Sequence, residues 1–149
     1  MPDPVLQLED LTVRFHLKRG QLTAIDGVTF TVHRGETFGL VGESGSGKTA
    51  TARSVMRLIP IPPGEVVRGR ILFEGTNILE HSPQQMRELR GKKVAMVFQE
   101  PMSALNPVFT VGKQIADALR TNLGMSKKAA KTRVIELLQL VGIPSPASR

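Results

Sequence analysis

The chain has 149 residues, with 20 lysines and arginines against 13 acidic residues, a formal net charge of +7. That length fits one domain, and a chain of this size buries roughly two thirds of its unfolded surface. It has no cysteine, tryptophan or tyrosine, which excludes a disulfide scaffold, a thiolate metal site and a cysteine nucleophile together.

The first residues, MPDPVLQLED, carry neither a basic patch nor an apolar stretch, so no secretory signal is expected. Leu6, Leu8, Leu11, Val13 and Phe15 nearly alternate with polar residues, predicting a half-buried strand with one irregularity near Asp10. Val28, Phe30 and Val32 alternate strictly and predict a second strand. Arg34-Gly35 then turns the chain into an apolar run, Thr37 to Val41, short enough for a buried strand. A glycine-rich segment, Gly42 to Gly47, leads into a predicted helix over Thr49 to Ile59 with apolar positions Ala52, Val55, Met56 and Ile59. Pro60, Pro62, Pro63 and Gly64 end that helix.

Arg70 to Glu74 reads as a strand turned by Gly75, and Ser82-Pro83 opens a short helix to about Arg90. Val94 to Phe98 is a further compact strand, with Gln99 at its carboxyl end. Pro101 and Pro107 bracket an irregular stretch. Thr110 caps a helix carrying Val111, Ile115, Ala118 and Leu119, stopped by Gly124. Ser126 caps a last helix with Ala130, Val134, Leu137, Leu138 and Val141 at helical spacing, closed by Gly142 and Pro144. Antiparallel-looking strands, then strand–loop–helix, then consecutive helices make this an α/β protein with a β-rich lobe and the beginning of a helical region. No uncharged run is long enough for a bilayer, and the expected setting is the cytosol.

The segment Gly42-Glu43-Ser44-Gly45-Ser46-Gly47-Lys48-Thr49 matches G-x-x-x-x-G-K-[ST] completely. Each residue type has a physical reason. A phosphate chain is wrapped by backbone N–H donors, and glycine lets the main chain approach closely in left-handed conformations. The loop feeds a helix whose first amides and dipole favour an anion. Lys48 brings a point charge to the β- and γ-phosphates, and the Thr49 hydroxyl can ligate Mg²⁺. This is a nucleoside triphosphate site by sequence. The positive charge alone chooses nothing between nucleic acid, an anionic membrane surface and a phosphate ligand. Its densest cluster, Lys127, Lys128, Lys131 and Arg133, lies on an amphipathic helix.

Three stretches resemble the ATP-binding subunits of ATP-binding cassette transporters: GVTFTVHRGETFGLVGESGSGKT, GRILFEGTNIL and KVAMVFQEPMSALNPVFTVGKQI. The wording VGESGSGKT followed by FQEPMSALNP is similar to the oligopeptide/dipeptide/nickel import branch, and the resemblance runs from about Val5 to Pro144. It implies a P-loop nucleoside triphosphatase core with an antiparallel β lobe over 1–106 and the start of a helical subdomain over 107–149. It implies ATP and Mg²⁺ as cofactors and binding through Phe15 and the loop residues from Gly42 to Thr49 with Ala50. Gln99 matches the family's Q-loop glutamine, which contacts Mg²⁺ or the attacking water; Lys48 and Gln99 are the expected catalytic residues, Thr49 and Gln99 the metal contacts. Phe15 matches the position that stacks on adenine, here without a tyrosine's hydroxyl. The stretch from Pro101 to Thr110 matches the surface that receives a membrane subunit.

The implied partners are transmembrane permease subunits, a second ATP-binding subunit and, indirectly, an extracytoplasmic solute-binding protein. The implied place is the cytoplasmic face of the cell membrane, peripherally. In the family it resembles, hydrolysis also uses four apolar residues followed by Asp-Glu, a Leu-Ser-Gly-Gly-Gln-type signature and a switch histidine. Asp3, Asp10, Asp26 and Asp117 are the only aspartates, and none follows four apolar residues. The expectation is therefore a domain that ends at Arg149 inside the helical subdomain, binds ATP–Mg²⁺ and does not hydrolyse it at a family-like rate. The competing expectations are a regulatory nucleotide-binding module that never hydrolyses, and a nucleic-acid-associated P-loop ATPase with strongly salt-dependent binding.

Overall fold

The alternation at the amino end produces two long strands, β1 (Pro4–Leu17) and β2 (Gly20–His33), paired antiparallel. The computed structural model describes residues 3–148. On the other edge of β1 lies β3 (Gly64–Phe73), and a two-residue strand β4 (Thr76–Asn77) completes a four-stranded antiparallel sheet in the order β2-β1-β3-β4. Glu74 and Gly75, both at positive φ, close the tight β3–β4 hairpin.

The expected irregularity falls on Asp10, at φ +48, where the pairing with both β2 and β3 shifts register. Leu8 and Leu11 are three residues apart and would face opposite sides of a regular strand. The bulge adds the residue that brings both inward. Leu8, Leu11, Val13, Ile71 and Ile78 are all essentially solvent-free and form the centre of this unit, with Ile25 beside them. Each such side chain contributes on the order of 1.5–3 kcal/mol by burial. The polar atoms of the bulge are satisfied across the sheet. The Asp10 amide donates to Thr29 Oγ1 at 2.9 Å, and the Gly27 amide to the buried Thr12 hydroxyl at 3.1 Å.

Helix α1 spans Lys48–Val55 and ends four residues before the Ile59 that the apolar spacing predicts. Arg57, at φ +47, breaks it. Its guanidinium donates to the carbonyls of Ile78 (3.2 Å) and His81 (2.6 Å), fastening the end of α1 to the turn after β4. Met56 and Ile59 are buried as expected, yet beyond the helix; within it the buried residues are Thr51 and Ser54. Their hydroxyls donate back to the Gly47 and Ala50 carbonyls, so neither is left unpaired.

Two expectations fail. Thr37 to Val41 and Val94 to Phe98 form no strand. Val41 and Val97 are about nine-tenths exposed, at 89 % and 90 %. A buried parallel strand needs neighbours on both edges, and among the described residues the only sheet is the antiparallel one. Phe38 nonetheless finds a partner, stacking on Phe30 of β2 with ring centroids 4.7 Å apart.

By packing, the chain divides into two units, Met1–Met86 and Arg87–Arg149. Helix α2 (Pro83–Lys92) crosses this division, and Ser82 opens it by exchanging bonds with Gln85 in a capping box. The second unit contains α3 (Val111–Leu123) and α4 (Lys127–Leu140), packed on each other. Thr110 and Ser126 cap them through their hydroxyls, and Gly124 in a left-handed conformation ends α3. Ala130, Val134 and Leu138 of α4 are buried; Val141, expected on the same face, is 69 % exposed. No helix is long and apolar enough to cross a membrane among the described residues.

A pH-sensitive contact closes the turn after β2. Glu36 accepts from the His33 amide at 2.6 Å and meets the His33 ring at 3.2 Å. The backbone bond first, and the side-chain bond second, hold the Glu36 carboxyl below the ordinary glutamate value. Its contribution is therefore present above that ordinary value and fades as pH falls through the lower, folded one. A carbon-detected NMR titration should place the Glu36 midpoint below that of a model glutamate. His33→Ala should return it only part of the way, because the backbone donor survives.

Candidate functional site

The glycine-rich segment is an exposed loop from Gly42 to Gly47 that runs straight into the first turn of α1. Gly47 occupies the cap position at φ +91, ψ +1, and a Cβ there would drive into the Ala24 carbonyl of β2. Only glycine lets the loop sit this close to the strand. Gly45, at φ +81, has the same handedness but open space around it. The Lys48 ammonium is turned onto the loop. It donates to the carbonyls of Gly42 (2.7 Å) and Glu43 (2.6 Å) and approaches the Ser46 hydroxyl at 3.3 Å.

Electrostatically the loop suits an anion. The first turn of α1 has no acidic residue, so no carboxylate on the helix itself competes with an incoming anion for its free amides and the positive end of its dipole. Thr49 is exposed at the second helical position and Ala50 half-buried behind it. A cleft of about 350 Å³ opens beside the loop, walled by Thr23 to Asp26 of β2 and by Gly45, Ser46 and Thr51. This wall is a part of the site that sequence reasoning missed. It is made largely of backbone, and a carbonyl contact such as that of Ala24 carries no residue-type signal. Phe15 is half-buried on β1, paired with Leu22, one register step beyond the Arg14–Thr23 pair that reaches the cleft. The first unit thus brings together the loop, α1, the β2 wall and the strand that carries Phe15.

Gln99 lies in the second unit, exposed, at a bend before the short 3-10 turn Pro101–Ala104. The stretch after it exposes Met102, Leu105, Val108 and Phe109. Despite its exposure it is built. Gln114 of α3 accepts from the Asn106 amide and donates to the Asn106 and Phe109 carbonyls, each at 3.0 Å. Asn106 in turn takes the Val108 amide through its side chain, and the Lys113 ammonium lies 4.0 Å over the Phe109 ring. Gln114 was invisible by pattern, being one polar residue on a helix full of them.

A family model described as "ABC transporter" matches residues 25–149. The oligopeptide transport ATP-binding protein OppD of Bacillus subtilis (strain 168) is 49 % identical over 145 residues, covering 97 % of this chain and 40 % of that protein. The dipeptide transport ATP-binding protein DppD of the same organism is 46 % identical over 147 residues, covering 99 % and 44 %. The chain therefore spans about two fifths of the length of the curated relatives it matches. Among solved structures, the bacterial ABC transporter cassette MJ0796 in its dimeric form superposes with a TM-score of 0.77 at 20 % identity. That match covers 91 % of this chain and 56 % of the cassette, and the likeness extends to a post-hydrolysis state bound to ADP and Pi.

Proposed function

Because this chain belongs to the ABC transporter family, we propose that it supplies the ATP-binding part of a peptide importer, with residues 42–50 as its phosphate cradle. The relatives that are peptide transport ATP-binding proteins support the peptide branch. The observation that carries the reading is the loop itself: a complete G-x-x-x-x-G-K-T segment, delivered to the first turn of α1 and wedged at Gly47 against β2.

In this reading the amides of Gly45 to Ala50 wrap the β- and γ-phosphates of ATP, and Lys48 leaves the Gly42 and Glu43 carbonyls to pair with them. Among the described residues no three His, Asp or Glu side chains gather into a metal cage. A Mg²⁺ ion would be held by the Thr49 hydroxyl and by phosphate oxygens; for Gln99, in the second unit, the role of metal contact rests on the family resemblance alone. Phe15 would supply a ring face to adenine. The patch fastened by Gln114, from Met102 to Phe109, would receive a permease subunit, and a second ATP-binding subunit would pair with the cradle. With such partners the protein would sit at the cytoplasmic face of a membrane. The division into an ATP-binding core over 1–106 and a helical subdomain beginning at 107 belongs to the same proposal.

A second reading keeps the binding and drops the chemistry. Within these 149 residues no aspartate follows four apolar residues, so the carboxylate that would hold Mg²⁺ from a strand end has no candidate. A fluorescent ATP analogue with Mg²⁺ tests both. The chain should bind it saturably, with ATP and ADP competing and AMP at least about tenfold weaker, since AMP lacks the phosphates that Lys48 reaches. No saturable binding, or AMP competing as well as ATP, would refute the cradle. Steady phosphate release by the chain, lost in Lys48→Ala, would instead refute the second reading.

A further inference from the structure

Within the second unit, α3 and α4 enclose a groove of about 520 Å³, a volume in the range of small-ligand sites. Its interior is apolar: buried Gly112 and Val134, with half-buried Ala116, Ile135 and Pro146. Its rim is cationic, with Lys113 and Arg120 from α3, Lys127 and Lys131 from α4, and a single carboxylate, Asp117.

The single carboxylate is already committed. Asp117 accepts from Lys113 at 2.9 Å and lies 3.9 Å from Arg120, both on its own helix. Lys127 and Lys131 stand one turn apart on α4, whose first turn has no acidic residue. Neither ammonium group has an ion-pair or hydrogen-bond partner among the described residues. The groove thus has four cations against one anion, and its two unmatched ammonium groups lie on the same side of an apolar trough. We propose that it binds a small amphipathic organic anion, with the charged head between Lys127 and Lys131 and the apolar body along Val134, Ile135 and Ala116.

The rest of the groove favours this occupant over its rivals. Lysines act as point charges and impose no bidentate geometry, so carboxylate and phosphate heads are both admissible. A bare inorganic ion would leave the apolar floor wet. A neutral apolar molecule would leave both ammonium groups unmatched. On α3 the Asp117 carboxylate already offsets part of the Lys113 and Arg120 charge, which leaves α4 as the side that discriminates charge.

Two-dimensional ¹H–¹⁵N NMR of the whole chain, titrated with 2-naphthoate as the probe, decides the matter. The expected result is a saturable set of shifts within residues 112–120 and 127–147. Inorganic phosphate and the neutral isostere 2-naphthylmethanol should each bind at least about tenfold more weakly. Lys127→Gln/Lys131→Gln should lose about tenfold toward naphthoate while keeping the spectrum of a folded chain, because both side chains are exposed. Lys128→Gln, outside the groove, should change nothing. Equal binding of the alcohol, shifts centred elsewhere, or an unaffected double variant would overturn the proposal. So would a tighter response to a glutamate-rich peptide than to naphthoate, which would assign the groove to a protein partner.

Discussion

Lys48→Ala should weaken ATP–Mg²⁺ binding by one to two orders of magnitude and leave the thermal midpoint unchanged within error. The two halves of this expectation have different origins. In the fold, the Lys48 ammonium bonds to the Gly42 and Glu43 carbonyls and to Ser46, all at an exposed loop. Bonds made in competition with water at such a place add little to stability, so deleting them costs little. Against a phosphate chain, the same ammonium makes charge-assisted bonds, each worth about 1.5–3 kcal/mol, which converts to roughly 10- to 150-fold in affinity. Isothermal titration calorimetry and a melt on the same samples separate the two halves. Unchanged affinity would mean that the loop amides alone hold the nucleotide. A lowered midpoint would mean that Lys48 is a structural staple. Lys48→Arg should fall between, since a planar guanidinium keeps the charge but cannot sit against both carbonyls as the compact ammonium does.

How far the sequence discloses the molecule depends on which physical signal each part leaves. The bulge at Asp10 is legible because alternation slips there by one residue, and only an added residue puts Leu8 and Leu11 on one side. The caps at Thr110, Ser126 and Gly124 are legible because each uses local side-chain or backbone chemistry within a few residues. The runs Thr37–Val41 and Val94–Phe98 show the limit. Their composition expresses a preference for a buried extended chain but says nothing about what lies alongside. Without neighbours, that preference yields exposed segments with no regular structure, and among the described residues one ring stack, Phe38 on Phe30.

The site divides along the same line. Gly42 to Thr49 can be read letter by letter because phosphate binding restricts residue type. The wall that the loop leans on cannot, because Ala24 contributes only its carbonyl. Gln114 and Arg57 are hidden for a related reason: each ties down backbone carbonyls several residues away or farther, and no pairing of residue types announces it.

The dependence of the loop on that wall gives the second large expected effect, read from two glycines two positions apart. Gly45 and Gly47 share left-handed φ values, +81 and +91, so alanine at either is strained by about 1 kcal/mol. They differ in what the new methyl group meets. At Gly45 there is nothing within 4 Å; at Gly47 the Ala24 carbonyl stands in the way, with Ile25 behind it. Ile25 is 3 % exposed and belongs to the core of the sheet, so β2 cannot retreat without disturbing that core. The loop must move instead, taking with it the amide array that opens α1. Gly45→Ala should therefore cost about 1 kcal/mol and retain saturable ATP binding. Gly47→Ala should cost about 2–3 kcal/mol, lowering the midpoint by roughly 6–10 °C for a chain of this size, and abolish measurable binding. Should the two variants behave alike in both melt and titration, the contact with β2 would not be what shapes the cradle, and backbone handedness alone would explain its glycines.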